Sequence, residues 1–164
     1  GVEFKAHGYA EAAREMFEES LSWLEQRSLK EELSHTMNWY FVWSHFCNQN
    51  WEEAETGFKD LSEANPDIVD SIGGLGLVAA KRGDKEEALR ILVRLKNWEK
   101  PYSRGVHTFW QASIAAHLGE KERAVSLLQT ALQQGYGYRF LHCRLQLEPL
   151  WDFPAFMGLI KPQD

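Results

Sequence analysis

The chain has 164 residues, 44% of them hydrophobic and 26% charged, with a net charge of −6, enough for one domain that buries roughly 70% of its unfolded surface. No run approaches the ~18 uninterrupted apolar residues of a membrane span, and the negative charge, without any Lys/Arg cluster, disfavours nucleic acid. Cys47 and Cys143 make no disulfide framework and no stretch reads as a signal peptide, so a reducing, cytoplasmic setting is expected.

Taken in order, the periodicity predicts a first helix from about Tyr9 to Gln26, with Ala13, Phe17, Leu21 and Leu24 on one face and Glu11, Glu15, Glu18 and Glu25 on the other. Ser28 with Glu31 resembles a capping box opening a second helix, about Leu29 to Asn48. Asn50 with Glu53 opens a third, which Asn65-Pro66 stops, because proline donates no N–H and turns its predecessor away from helical geometry. Asp67 is the expected cap of a fourth helix, Ile68 to Arg82, which Gly83 ends in a left-handed conformation; Asp84, with Glu87, caps the fifth. Pro101 falls in the next connection, Ser103 is the expected cap of a sixth helix closing at Gly119, and a seventh runs to Gln134 and ends at Gly135. Strand signals are absent.

One pattern recurs four times: Gly8, Ala13, Phe17; Gln49, Ala54, Phe58; Gly83, Ala88, Leu92; Gly119, Ala124, Leu128. An alanine follows each turn residue by five positions and a larger apolar residue follows by nine, and the alanines lie 41, 34 and 36 residues apart (54−13, 88−54, 124−88). Self-similarity at that period marks a stack of helical hairpins. Small residues such as Gly76, Ala112, Ala54, Ala88 and Ala124 are what two helices need to approach to within ~8–10 Å.

These hairpins resemble tetratricopeptide repeats, best in Ile72-x-x-Leu75-Gly76-x-x-Ala79 followed by Ala88, Leu92, Leu95 and Pro101. The family's usual proline comes one residue sooner, Thr108 and Gln111 replace large apolar residues in the fourth copy, and the first copy lacks room for its first helix. The resemblance implies an all-α fold of antiparallel hairpins stacked as a right-handed superhelix, with repeats at about 8–28 (partial), 29–66, 68–101 and 103–135 and a cap over 136–164 in one domain. The tail, Leu145-x-Leu147-Glu148-Pro149-Leu150-Trp151-Asp152-x-Pro154-x-Phe156-x-x-Leu159, is similar to the segment that often ends bacterial arrays attached to signalling proteins. In physical terms Trp151, Phe156 and Leu159 read as a cover for the last hairpin.

Trp39, Tyr40, Phe41, Val42 and Trp43 are five consecutive large apolar residues, and a helix apolar all round must bury more than one face. Phe41, Val42 and His45 are expected against the hairpin partner. In the register of the resemblance, Trp39, Trp43 and Phe46 line a concave groove with Leu77, Lys81, Phe109, Ser113 and His117, suited to an apolar or proline-containing segment. The same stripe is alternatively filled by the tail or by an N-terminal helix. A carboxylate clamp is not expected, because Trp, Gly and Phe stand where such members of the family carry Lys, Asn and Arg.

No catalytic constellation emerges. His45 and Cys47 point apart on a helix, His142 and Cys143 are adjacent, the glutamates of the first helix read as a solvated face, and Gly73-Gly74-x-Gly76 follows no strand and is no phosphate loop. The expectation is a non-catalytic protein- or peptide-binding scaffold without cofactor or metal, belonging to a larger bacterial signalling or regulatory protein. The alternatives are an oligomerisation domain acting through an apolar N-terminal edge around Phe4, Tyr9 and Met16, which implies weak self-association, and a small-molecule sensor or enzyme accessory domain.

Overall fold

The computed structural model describes residues 1–98, 103–139 and 141–161, and every regular element among them is helical. Nine α-helices follow one another: α1 (Val2–Ala6), α2 (Ala10–Ser28), α3 (His35–Cys47), α4 (Trp51–Ala64), α5 (Val69–Arg82), α6 (Lys85–Lys96), α7 (Val106–His117), α8 (Lys121–Gln133) and α9 (Pro154–Ile160). Two 3-10 segments, Leu141–Cys143 and Leu145–Leu150, precede α9. The chain is all-α, and α3 with α4, α5 with α6 and α7 with α8 pair as hairpins. Each hairpin leans on the next: α4 touches α5, α5 touches α7 and α6 touches α7, while α2 lies on α3 and α1 on α2.

The recurring pattern is a backbone pattern. Gly8, Gln49, Gly83 and Gly119 have φ of +82°, +62°, +81° and +85°, the left-handed turn that glycine adopts freely and glutamine under strain. Five residues on, Ala13, Ala54, Ala88 and Ala124 are 1% exposed or less, sitting at helix crossings that admit only a methyl group. Phe58, Leu92 and Leu128 are buried at the third position, and Phe17 is half-buried on α2.

The centre of the stack is α5. Its glycines replace side chains with room for neighbours: a Cβ on Gly73 would overlap the Trp110 ring from α7, one on Gly74 would lie 2.6 Å from Phe58 of α4, and one on Gly76 would lie 2.8 Å from Ile91 of α6. Trp110, 1% exposed, also donates its indole N–H to Asp70 at 2.9 Å. The polar departures in α7 are satisfied, one across to the end of α8 and one within the helix. Thr108 donates to Gln134 at 2.6 Å, and Gln111 reaches the His107 carbonyl at 3.4 Å.

Several expected helix starts are corrected. α3 begins at His35, capped by Ser34, whose hydroxyl accepts from the Met37 N–H at 3.3 Å. Ser28 instead ends α2, its hydroxyl donating to the Glu25 carbonyl at 2.8 Å, a back-bond that continues a helix rather than opening one. Asn50 holds the cap position of α4 but turns its side chain to His45. Ile68 rather than Asp67 is the N-cap of α5. Gly105, at φ +74° and close to the Ala131 carbonyl of α8, precedes α7 where Ser103 was expected; Ser103 pairs with His107 at 3.2 Å. Pro101 lies outside the described residues.

The packing yields a contrast that denaturant unfolding with circular dichroism checks. Gly73→Ala, Ala88→Leu and Ala124→Leu each destabilise by ~1–3 kcal/mol through overpacking. Gly158→Ala in α9, where an added Cβ meets nothing within 4 Å, stabilises by roughly 0.5–1 kcal/mol. Unchanged midpoints for the first three exclude these crossings. At Gln49, substitution by Gly relieves the left-handed strain and raises stability by about 1 kcal/mol, read in the same melts.

Candidate functional site

Three faces of α3 meet three different neighbours. Trp39, Trp43 and Phe46 stack in series, with ring centroids 5.4 Å apart for Trp39–Trp43 and 4.7 Å apart for Trp43–Phe46. Tyr40, Ser44 and Cys47 face α2. Phe41, Val42 and His45 face α4.

The expected concave groove is covered rather than open. Phe46, Leu77, Phe109 and Ser113 are 4%, 0%, 2% and 0% exposed. Phe109 is sandwiched on Tyr136 at 4.3 Å, and the Ser113 hydroxyl is committed to the Phe109 carbonyl at 2.9 Å. The cover is the chain itself: the 3-10 segment Leu145–Leu150 lies on α7, and α1 touches both 3-10 segments. Burying Leu145, Leu147 and Leu150 there, all at 4% exposure or less, is what drives the tail inward. Around Trp39 and Trp43 a cavity of about 350 Å³ remains, shared with Val2, Tyr40 and Arg144. The Trp39 indole N–H is buried there and finds no partner among the described residues.

Lys81, expected to be a groove cation, is engaged. Its ammonium lies 3.0 Å from Glu148, which also holds Lys5 of α1 at 2.9 Å, with the three side chains between 26% and 33% exposed. Burial alone would raise the Glu148 carboxyl, but hydrogen bonds from Lys5 and Lys81, and their charges, outweigh it and hold the group below its ordinary 4.5. One carboxylate therefore ties the first helix, the central helix and the tail. His117 lies beside it, pushed down to about 3 by burial and then by Lys81, against the opposing charge of Glu148 and the Gln146 backbone.

The tail also reaches the far end of the stack. Phe156 is 0% exposed, Trp151 and Leu159 pack partly buried against the core, and the Tyr138 hydroxyl donates to the Leu159 and Lys161 carbonyls at 3.2 Å.

Both thiols are held toward the protonated form. Burial raises Cys47 to about 12 and, with a hydrogen bond and the charge of Glu3, Cys143 to about 11. Glu3, His142 and Cys143 place three donor atoms within 4.8 Å of one another, a grouping invisible in sequence because α1 and the tail meet only in the fold. Among the described residues it is the group of three or more His, Cys, Asp or Glu with spacing for a metal ion; the thiol is buried and the other two donors are exposed.

A larger cavity, about 600 Å³, opens between α3 and α4, on the side of α3 away from the tail. Its floor includes Phe41, Val42 and Leu61 and its rim Glu52, Glu53 and Asp60. His45 at one end packs on Phe41 at 4.8 Å; burial lowers its pKa although the charges of Glu53 and Glu25 work to raise it. Phe41, Val42 and His45 lie on the α4 side of α3 as the sequence suggests; Val42 closes over Gly57, while Phe41 and His45 stay half-buried along the cavity.

In comparisons with protein-family models, curated proteins and solved structures, nothing matches this chain. Among the described residues no helix is long and apolar enough to cross a membrane.

The tie at Glu148 has a pH signature. A carboxyl held below its ordinary value contributes stability that is present above about pH 4.5 and lost as pH falls through the folded pKa. A histidine held neutral to about pH 3 costs stability from about pH 6.5 downward, because the unfolded chain takes up the proton first. Unfolding free energy measured against pH is therefore expected to decline for the native chain with a slope of up to about 1.4 kcal/mol per pH unit from His117. His117→Leu flattens the stretch between pH 6.5 and 3, and Glu148→Gln lowers stability at pH 7 but converges on the native curve in acid. Parallel curves for all three chains exclude the tie.

Proposed function

We propose that the chain is a non-catalytic protein-interaction module, a tetratricopeptide-like superhelical array whose working surface is the N-terminal end of the stack, built from α2, α3 and α4. The observation that carries this reading is an asymmetry between the two ends. Of the ten exposed large apolar side chains among the described residues, six (Phe4, Tyr9, Met16, Trp23, Leu29 and Tyr40) belong to α1 to α3 or their connections, whereas α9 and Trp151 cover the other end. Met16, Trp23 and Tyr40 line one shared pocket between α2 and α3, and exposed apolar surface of this kind is typical of interaction sites. Half-buried Cys47 and buried Cys143, both with raised pKa, and a histidine held neutral beside Lys81 supply neither a nucleophile nor a poised acid–base pair, which favours binding over catalysis. The few cysteines, both free, favour a cytoplasmic setting, and the bacterial signalling context rests on the tail's resemblance.

A second reading keeps the partner at Trp39 and Trp43, where an apolar or proline-containing segment enters the cavity of about 350 Å³; the unpartnered Trp39 N–H favours it. Self-association through the apolar end is opposed by the glutamates of α2, which a second copy would bring against its own.

Photo-crosslinkers at Tyr40, Trp39 and Val93 distinguish these readings. Crosslinks to a partner from Tyr40 and not from Val93, with partner affinity falling by about 2 kcal/mol or more in Trp23→Ser/Tyr40→Ser, are the expected result. Trp39 crosslinks alone favour the second reading. Crosslinked dimers of the chain, with sedimentation showing association, assign the end to self-association.

A further inference from the structure

The groove between α3 and α4 has a chemistry that the rest of the N-terminal end lacks. Its floor is apolar, with Gly57 leaving the middle without a side chain, and its rim is acidic at Glu52, Glu53 and Asp60; no Lys or Arg lines it. None of those three carboxylates has an ion-pair partner among the described residues. Other carboxylates are neutralised by a neighbour, Glu55 on the same helix by Arg82, Glu87 by Arg90, Glu120 by Arg123 at 2.6 Å and Asp152 by Lys121 at 3.3 Å, and what sets these three apart is that they surround an apolar floor. Unneutralised charges around an apolar floor form a field that attracts cations and repels acids.

The dimensions specify the shape of the occupant. The lining runs along α4 from Glu52 to Ala64, about 18 Å at 1.5 Å per residue, or roughly three turns of helix. A groove between two packed helices accepts the ridge of a third, with apolar anchors about one turn apart. A second copy of this chain, at net charge −6, is the wrong sign for such a rim, and so is nucleic acid.

We propose that the α3–α4 groove binds an amphipathic helix of another protein, about three to four turns long, whose apolar stripe lies on Phe41, Val42 and Leu61 and whose flanking Lys or Arg side chains meet Glu52, Glu53 and Asp60. This rests on the interaction-module reading above and assigns it a partner chemistry.

The test uses the full chain and a labelled synthetic Leu/Lys amphipathic peptide of about 14 residues, with fluorescence anisotropy as readout and circular dichroism to verify each variant's fold. The expected result is saturable binding that weakens about tenfold or more in Glu52→Gln/Glu53→Gln/Asp60→Asn and in the groove-filling Thr56→Trp. Affinity stays within about twofold in Glu86→Gln/Glu87→Gln/Glu122→Gln, on α6 and α8, which separates the groove from general attraction to an acidic protein. The Lys→Glu peptide and a proline-interrupted version are expected not to bind. No binding of the basic peptide at about 1 mM, equal binding of the proline-interrupted version, or equal losses in the two charge-neutralised triple variants overturns the proposal. If that happens while crosslinking at Tyr40 still captures a partner, only the partner chemistry falls; if both fail, the module reading falls with it.

Discussion

The structure depends on large side chains seated directly on the backbone of α5. Gly73, Gly74 and Gly76 present no Cβ, so Trp110 from α7, Phe58 from α4 and Ile91 and Ile114 from α6 and α7 come closer to that helix than any side chain would allow. Trp110 and Phe58 are 1% and 0% exposed, and rings of that size supply much of a core's apolar burial. The indole N–H of Trp110 reaching Asp70 fixes the ring's orientation and satisfies its one polar atom. A glycine costs helix propensity, and here the close packing it permits offsets that cost, setting the register of the hairpins on either side.

With the hairpins in place, the inner side of the stack is an apolar surface requiring cover, and the chain's two ends provide it. Burial of Leu145, Leu147 and Leu150 brings Glu148 against Lys81 and Lys5. Partly buried, each charge needs the other, because a lone ion there would keep its desolvation penalty without compensation. The consequence for function is a change of face. Leu77, Phe109 and Ser113 belong to the interior, which is why the surface proposed for a partner lies outward, on α2, α3 and α4.

The aromatic density of α3 was legible as a sign that this helix has more than one neighbour, and α2, α4 and the tail all meet it. Which neighbour meets which stripe was not legible. Trp39 and Trp43 face the tail because a segment about a hundred residues later folds beneath them, and no local periodicity encodes that encounter. The acidic groove on the opposite side was overlooked for a similar reason. Glu52, Glu53 and Asp60 look like the solvated face of one amphipathic helix until α3 places Phe41 and Val42 beside them.

Short-range chemistry was decided by the sequence itself: most of the helices, the left-handed turns at Gly8, Gly83 and Gly119, and the alanines five residues later. These rest on backbone sterics and side-chain size, which act within a few residues and hold whatever surrounds them. Helix starts at Ser28, Asp67 and Ser103 read less well, because several polar residues near a terminus compete for the same N–H groups and tertiary packing selects among them. Only the tertiary structure decided that the tail covers α7, that Glu148 joins both ends of the chain to α5, and that a cavity opens between α3 and α4. Burial and ion pairing act between residues brought together by the whole fold, so their outcome is a property of the stack and of no segment within it.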